Sequence, residues 1–254
     1  MRTIDLNADL GEGYGPWTMG DDAAMLDIVS SANVACGGHA SDPDTMARTL
    51  GLAKARGVVT GAHPSYPDKE GFGRRRLPST PDEIEHFVAA QVGALIAIGR
   101  LVGQPVTYVK PHGALGNVAA AEVPVAAAIV RAVRAIDPGL AILAISGTAL
   151  ETVARGEGVP AYSEIFADRG YTPAGQLVPR AEPGAMITDP GAASDRLLAF
   201  LDSGDMPTVG GAPVRLAADS VCIHGDSDHA VAMARHIRER FLACGLAIAP
   251  FMGL

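Results

Sequence analysis

Residues 106–113, with the sequence VTYVKPHG, join a short apolar run to a lysine and then to a histidine bounded by proline and glycine. Three further segments have the same form, an apolar strand-like run that leads to a histidine beside glycine or proline, and they span residues 32–39, 58–64 and 220–226. The four histidines of these segments are His39, His63, His112 and His224. Parallel α/β folds carry their chemistry at the carboxyl ends of their strands. The segments therefore predict that several strands deliver imidazoles to one end of a parallel sheet or barrel.

Strand-like and helix-like stretches alternate on both sides of these segments, along nearly the whole chain. The predicted strands cover residues 4–10, 33–36, 58–62, 106–109, 140–145, 161–165 and 221–224. The predicted helices cover residues 22–31, 42–56, 80–102, 123–136, 149–155, 192–201 and 229–244. Such alternation favours a parallel sheet. A closed barrel fits better than an open sheet, because polar residues recur at nearly every strand end.

Length and composition indicate one α/β domain over residues 1–254. Apolar residues make up 48% of the chain and aromatic residues only 5%, so the core is expected to be aliphatic. The net charge of −8 argues against a broad surface for nucleic acid. The basic run Arg74-Arg75-Arg76 is short, and it could bind a phosphate or carboxylate or anchor a loop.

Cysteine usage and the amino-terminal sequence predict a cytoplasmic protein without a membrane segment. Cys36, Cys222 and Cys244 are an odd number without CxxC spacing, which is typical of buried thiols in a reducing compartment. The first residues contain no apolar signal core, and no apolar run approaches the ~20 residues of a membrane span. The sequence has no GxxxxGK[ST] motif, so any nucleotide is expected to bind by another device or on another chain.

The first strand carries three polar side chains on one face, because residues two apart in a strand point the same way. They are Asp5, Asn7 and Asp9, and Glu12 follows in the next loop. Polar alternation is unusual for a strand that a parallel sheet should bury. It predicts one wall of an active site, with a cluster that merely caps a loop as the alternative.

Two of the strand-end histidines, His39 and His63, follow small residues that leave room around the imidazole. Together with Asp9 they could ligate a divalent metal, or they could act as general acids and bases or bind substrate. Lys110 is one of only three lysines and ends an apolar strand next to Pro111 and His112. A lysine in that position is expected to meet a carboxylate or phosphate, unless it forms a structural ion pair inside the barrel.

A later polar group follows the sixth predicted strand and contains Glu164, Asp168 and Arg169, with Arg180 nearby in sequence. Arg169 and Arg180 could hold a substrate carboxylate in a bidentate fork, or the group could be a salt-bridged loop. At the last strand, Asp226 follows His224. This aspartate is a candidate cap for the final helix, whose amino terminus could itself hold an anion.

Several of these segments resemble the LamB/YcsF family, the A subunits of bacterial 5-oxoprolinase. The matching segments are residues 5–12 (DLNADLGE), 33–40 (NVACGGHA), 61–64 (GAHP), 71–75 (GFGRR), 109–115 (VKPHGAL), 166–171 (FADRGY) and 224–226 (HGD). The likeness runs in order from residue 5 to about residue 240. Two positions depart from the family pattern: Ser41 stands where the family usually has glycine, and Gly116 where it usually has tyrosine. Both departures are expected in loops beside the site, where they would alter its shape.

The resemblance implies a seven-stranded parallel (β/α) barrel similar to the glycoside hydrolase/deacetylase superfamily. It also implies ATP-dependent opening of 5-oxo-L-proline to L-glutamate, with ATP as co-substrate and separate B and C subunits as partners. A divalent metal could accompany ATP as Mg²⁺, or it could bind at Asp9, His39 and His63. Two alternatives stay open: a metal-dependent amide or ester hydrolase of the polysaccharide-deacetylase type, and a non-catalytic subunit that binds the lactam. Assembly into a homo-oligomer is also compatible with the sequence.

A reaction of this kind assigns roles to the strand-end residues. Lys110 is predicted to stabilise the carbonyl oxygen or a phosphate, and His39, His63 and Asp9 are candidates for the base that activates water. His112 completes the predicted catalytic group. The predicted substrate-binding residues are Asn7, Glu12, Glu164, Asp168, Arg169, Arg180, His224 and Asp226.

Overall fold

Seven parallel strands close into a barrel within the part of the chain that the computed structural model describes, residues 2–224 and 230–253. The strands are, in chain order, β1 (Thr3–Leu10), β2 (Ser31–Ala35), β3 (Val59–His63), β4 (Val106–Val109), β5 (Ala141–Ile145), β6 (Ala161–Phe166), β7 (Asp205–Met206), β8 (Val214–Arg215), β9 (Ser220–Cys222) and β10 (Ala247–Ile248). Strands β1 to β6 and β9 form the barrel, which closes where Asp5 of β1 pairs with Ser220 of β9. Strands β7 and β8 form a separate antiparallel pair, and β10 adds to the start of β1. The predicted barrel is confirmed.

Helices follow most strands and form the outer layer of the barrel. They are α1 (Asp22–Leu26), α2 (Pro43–Arg56), α3 (Pro81–Val102), α4 (Gly113–Ala121), α5 (Val123–Ile136), α6 (Ala149–Gly156), α7 (Pro190–Ser203) and α8 (Ala230–Ala243). The starts of α2 and α3 follow from local chemistry, since Asp42 caps α2 and Thr80 with Glu83 forms a capping box on α3. Both helices were predicted at these positions.

Two helical predictions need correction. The helix expected over residues 22–31 ends at Leu26, because Ser30 donates its backbone N–H to Leu6 of β1 at 2.9 Å and the chain enters β2 at Ser31. Helix α4 was not predicted, because Gly113 and Gly116 weaken its helical signal. Gly116, expected in a loop, lies inside this helix against the carbonyl of Pro111.

Helix α3 also has the length and apolar composition of a membrane-spanning helix, and the bent pair of α4 and α5 meets the same two criteria if it is counted as one span. In the fold, α3 packs against α5 and α2, and it buries Ile84, Val88 and Leu95. The helix is therefore part of the layer that surrounds the barrel.

Apolar side chains fill the space between barrel and helices, while the barrel interior is largely polar towards the carboxyl ends of its strands. The apolar part of the interior is formed by Val59, Tyr108, Ala141 and Leu143, with Phe251 packed against it. Above this layer lie the polar residues of β1 and their partners. This division places polar groups where the strands end, and it positions the site.

Candidate active site at the barrel mouth

The polar face of β1 is the centre of a hydrogen-bond network inside the barrel. Asn33 of β2 donates its side-chain amide to Asn7 Oδ1 at 2.7 Å and to Asp9 Oδ1 at 2.8 Å. The amide of Asn7 in turn donates to Glu164 Oε1 at 3.0 Å. Tyr108 completes the network by donating its hydroxyl to Asn33 Oδ1 at 2.7 Å. The alternating polar residues of β1 therefore face the interior of the barrel, as their spacing in the sequence predicts.

Lys110 places its ammonium in the middle of this network and is buried. Its Nζ lies 3.0 Å from Asp9 Oδ1, 2.8 Å from Glu164 Oε1 and 3.0 Å from Cys222 Sγ. Burial opposes the positive charge, but the attraction of Asp9 and Glu164 outweighs it and raises the pKa of Lys110 well above its usual range. At neutral pH the residue is therefore an ammonium held by two carboxyl groups from different strands.

The two carboxyl groups respond differently to burial. At Asp9 burial favours the neutral acid, yet the nearby His63 and Lys110 outweigh it and hold the pKa well below its usual range. At Glu164 burial prevails over the attraction of Lys110 and raises the pKa. Asp9 is thus the firmly ionised partner of Lys110, whereas Glu164 takes up a proton more readily.

Beside Lys110 lies an imidazole cluster, by which we mean Glu12, His39, His63 and His112. The side chains of all four are buried, and one ligand atom from each lies within 4.8 Å of those of the other three. His39 Nε2 is 3.0 Å from Glu12 Oε1, and the ring of His39 stacks on that of His112 at 3.7 Å between centroids. Burial is the main reason why the pKa of His39 and that of His112 lie well below the usual range. The cluster could hold a metal ion.

Backbone carbonyls set the tautomers of two of these rings. His63 Nδ1 lies 2.6 Å from the carbonyl oxygen of Lys110, and His112 Nε2 lies 2.9 Å from that of Phe72. A carbonyl oxygen only accepts hydrogen bonds, so each of these nitrogens carries the hydrogen. The other nitrogens, His63 Nε2 and His112 Nδ1, face each other at 3.0 Å.

The metal ligands suggested by the sequence, Asp9 with His39 and His63, are only partly the set that the structure assembles. Asp9 Oδ2 approaches His63 Nε2 at 3.3 Å, but Asp9 Oδ1 is held by Lys110 and Asn33. Glu12 is the carboxylate that belongs to the imidazole cluster, and His112 is its third histidine.

Glycine conformations let the loops close over this cluster. Phe72 and Gly73 both have positive φ, at 53° and 62°, and a side chain at Gly73 would meet the Cβ of His39 at 2.8 Å. Ser41 also adopts a positive φ, of 75°, which favours glycine. The loop after His39 therefore keeps a backbone conformation suited to glycine although a serine occupies it.

A cavity of about 660 Å³ opens beside these groups. One wall carries Asp9, His63, Lys110 and His112. Basic and aromatic side chains also line it, namely Arg74, Phe166, Arg169, Arg180 and His224. Gly116 also faces the cavity, so the absence of a tyrosine at this position leaves more room there. A cavity of this size fits a small molecule.

The later polar group divides between the cavity and its supporting loop. His224 Nδ1 lies 2.8 Å from Asp168 Oδ2, and both side chains are largely buried. Arg169 donates to the carbonyls of Val178 and Ala185, at 2.7 Å and 3.2 Å, so part of its guanidinium anchors the loop. Arg180 is exposed at the cavity rim. Asp226 lies outside the described residues.

Sequence reasoning missed several residues of the site. Asn33 and Tyr108 could have been found, because Asn33 is a polar side chain in a buried strand and Tyr108 shares a strand face with Lys110, two residues later. The carbonyl of Phe72 could not, since no sequence pattern marks a backbone acceptor.

The three arginines of the basic run Arg74-Arg75-Arg76 have different surroundings. Arg75 pairs with Asp68 and Arg76 with Glu122, whereas Arg74 lines the cavity.

Known proteins resemble this chain along nearly its whole length. The family model described as "LamB/YcsF family" matches residues 4–254. The chain is 53% identical to the A subunit of 5-oxoprolinase from Azorhizobium caulinodans over 99% of each chain. It is 51% identical to the third such A subunit of Pseudomonas syringae pv. tomato, over 100% of this chain and 99% of the relative. The crystal structure of the lactam utilization protein from Thermus thermophilus superposes with a TM-score of 0.91, at 42% identity and covering 97% and 99% of the two chains. Matches that extend over nearly the whole length make the chain a member of the LamB/YcsF family.

Proposed function

We propose that this chain is the lactam-opening subunit of a 5-oxoprolinase, which converts 5-oxo-L-proline and water to L-glutamate with cleavage of ATP. The observation that carries the proposal is the shared cavity wall, where the ammonium of Lys110 lies beside the imidazoles of His63 and His112. The names of the relatives support the same reaction and a multi-subunit complex. The partners in the proposal are separate B and C subunits.

The chemistry of the substrate explains why a cation and a base are both needed. A five-membered lactam is an unstrained amide that water attacks slowly, and phosphorylation of its oxygen by ATP makes the ring carbon more electrophilic. Lys110 then neutralises negative charge that develops on the oxygen or its phosphate. Asp9, the ionised carboxylate beside His63 on the same cavity wall, accepts the proton of the attacking water.

Cationic side chains around the cavity suit an anionic substrate. Arg74, Arg180 and Lys110 line it. We assign the substrate carboxylate to Arg180 in preference to Arg169, because two N–H groups of Arg169 already donate to carbonyls. The volume of about 660 Å³ exceeds what a single small lactam fills and leaves space for a phosphoryl group.

A second candidate is a metal-dependent amide hydrolase that works without ATP. The imidazole cluster favours it, because three histidines and a carboxylate are metal ligands in hydrolases.

A cytoplasmic location belongs to the proposal as well, supported by three cysteines that form no disulfide.

The deciding assay measures glutamate released from 5-oxo-L-proline by the chain alone and by the chain with its B and C proteins, each with and without ATP. We expect release only from the full mixture with ATP. Release by the chain alone without ATP, abolished by a chelator, would establish the second candidate instead. No release in any mixture would refute both.

Lys110→Ala tests the central role in the same assay. We expect the assembled complex to lose at least about 100-fold in rate, since one charge-stabilising donor contributes about that much. Lys54→Ala is the matched control, because Lys54 is exposed and donates to the carbonyl of Val102. In the Lys110 variant Asp9 and Glu164 lose their counter-charge, which destabilises the fold. The folded fraction is therefore measured by circular dichroism, and the rates are corrected for it. Full activity of the Lys110 variant would remove the proposed role.

A further inference from the structure

We propose that Glu12, His39, His63 and His112 bind one divalent transition-metal ion of the zinc class. The site is inferred from its own geometry, and only its role in lactam opening rests on the proposed function. It differs from the trio that the sequence suggested, because Glu12 takes the place expected for Asp9 and His112 is added.

The first argument is the direction of the lone pairs. In the neutral rings of His63 and His112 the hydrogens are committed to the carbonyls of Lys110 and Phe72, so the remaining nitrogens present lone pairs to each other across 3.0 Å. The carboxylate oxygen Oδ2 of Asp9 lies 3.3 Å from His63 Nε2 and adds negative charge at the same place. Two lone pairs at this distance repel unless a cation lies between them. Hydrogen bonds from the distal nitrogens to carbonyls are also the arrangement that orients histidines bound to metals.

The second argument is the spacing of the ligand atoms. With metal–nitrogen distances of about 2.0–2.1 Å, ligand atoms at the corners of a tetrahedron are about 3.4 Å apart. The separations are 3.0 Å between His63 Nε2 and His112 Nδ1, 3.0 Å between His39 Nε2 and Glu12 Oε1, and 3.7 Å between His112 Nδ1 and Glu12 Oε1. These three separations lie within about 0.4 Å of tetrahedral spacing, and every pair of ligand atoms lies within 4.8 Å.

The third argument concerns His39. Its Nδ1 is buried and has no hydrogen-bond partner among the described residues. Among the described residues, therefore, no acceptor fixes a hydrogen on Nδ1 and no donor keeps a hydrogen away from it. His39 can transfer its hydrogen to that nitrogen and present Nε2 to a metal.

The donor set and the access route define the kind of ion. Three imidazoles and one carboxylate suit Zn²⁺, Co²⁺ or Fe²⁺, whereas Mg²⁺ prefers oxygen ligands and water. His63 and His112 line the cavity, so an ion can enter from it. This ion is distinct from any Mg²⁺ that accompanies ATP.

Metal binding is tested without reference to activity. The full chain, stripped with a chelator and dialysed, is titrated with Co²⁺ while visible absorption is recorded, and Zn²⁺ is then added as competitor. We expect saturation at about one ion per chain, with the intense bands of tetrahedral Co²⁺, and displacement by Zn²⁺. Absence of saturable binding would overturn the proposal and would leave a shared proton as the occupant of the space between His63 and His112.

Variants assign the ion to these residues. Glu12→Gln and His63→Gln should each weaken Co²⁺ binding by at least about 100-fold, as expected for lost ligands. His86→Gln, an exposed position on α3, is the control and should bind as the parent does. Two variants guard against misfolding, and circular dichroism checks each. Unchanged affinity in both cluster variants, or equal loss in the control, would overturn the assignment. Metal binding without any effect on glutamate release would support the site and count only against its role in the reaction.

Discussion

Asp5 shows how crowded with acidic groups the barrel interior is. Its carboxylate accepts hydrogen bonds from the hydroxyls of Ser30, Ser31 and Ser220. Burial nevertheless raises the pKa of Asp5 to about 6, with Glu164 adding to the effect. The three hydroxyls favour the charged form, but they do not offset the loss of water around it.

This pKa sets the sign of a pH dependence. A carboxyl group whose pKa is higher in the folded state lowers the unfolding free energy of the protein as pH rises from the ordinary pKa of the group towards about 6. Above that pH the loss of unfolding free energy stays constant. Asp5→Asn removes the effect. Between about pH 4.5 and about pH 7.5 the variant should therefore gain about 2 kcal/mol in unfolding free energy relative to the parent. Urea unfolding measures it, with the exposed Asp202→Asn as control. A pH-independent difference would contradict the assignment.

Asp168 and His224 make a second pH-dependent pair with the opposite balance. Burial opposes both charges, yet their attraction raises the pKa of His224 and lowers that of Asp168. The raised histidine pKa contributes stability that is lost as pH rises through it, and the lowered aspartate pKa contributes stability that is lost as pH falls. The window of full effect lies between the ordinary values, roughly pH 4 to 6.5.

A double-mutant cycle of Asp168→Asn and His224→Gln should therefore give a coupling energy of about 1.5 kcal/mol near pH 5.5, and a smaller one near pH 8.5. The exposed pair Arg134 and Glu157, with atoms 3.1 Å apart, is the control. It should couple by less than about 1 kcal/mol. Equal coupling of the histidine pair at both pH values would show that the pair is not ionised as described.

At the scale of the elements, contact between β3 and β4 depends on a residue without a side chain. A Cβ on Gly61 would overlap the ring of Tyr108, which lies across the barrel interior and reaches Asn33. The register of these strands also shifts between Thr60 and Gly61. Gly61 thus allows an aromatic ring to support the polar network from below.

Gly61→Ala should destabilise the fold by about 2–3 kcal/mol, because the ring or the strand must move. Gly93→Ala in α3 is the matched control, since no atom of the described residues outside the helix's own nearby backbone lies within 4 Å of its Cβ position. The control should stabilise the protein by about 0.5–1 kcal/mol through helix propensity. Chemical denaturation of both variants provides the comparison, and a neutral effect at Gly61 would show that Tyr108 has room to adjust.

At the scale of the whole molecule, the barrel ties the two ends of the chain together. β1 pairs with β2 on one side and with β9 on the other. The buried apolar residues form two large clusters, and both clusters include residues of β2. Ala32 belongs to one cluster and Val34 to the other. Neither half of the chain can bury its apolar surface without the other.

We therefore expect a single cooperative unfolding transition for the chain, as one domain would show. Far-UV circular dichroism should report the helices and near-UV circular dichroism the buried tyrosines, with coincident midpoints. Gly61→Ala should shift both midpoints equally. Two separate midpoints would mean that the barrel and part of its outer layer unfold independently.

Local patterns in the sequence determined most of the barrel strands and helices and part of the site. Period-two alternation in β1 put Asp5, Asn7 and Asp9 on one face, and strand ends marked His63 and Lys110. Cap residues located α2 and α3. These signals are readable because strand and helix geometry repeats over a few residues. The roles of the individual site residues stay predictions.

Only the tertiary structure decided which groups meet. Lys110 reaches Cys222, 112 residues away, and Asn7 reaches Ser220, 213 residues away. Glu12 and His112 join His39 and His63 in one cluster, and the carbonyl of Phe72 set the tautomer of His112. Contacts of this kind depend on the register between strands and on loop conformation. Those are fixed when the whole barrel closes and packs, and no local period of the chain encodes them.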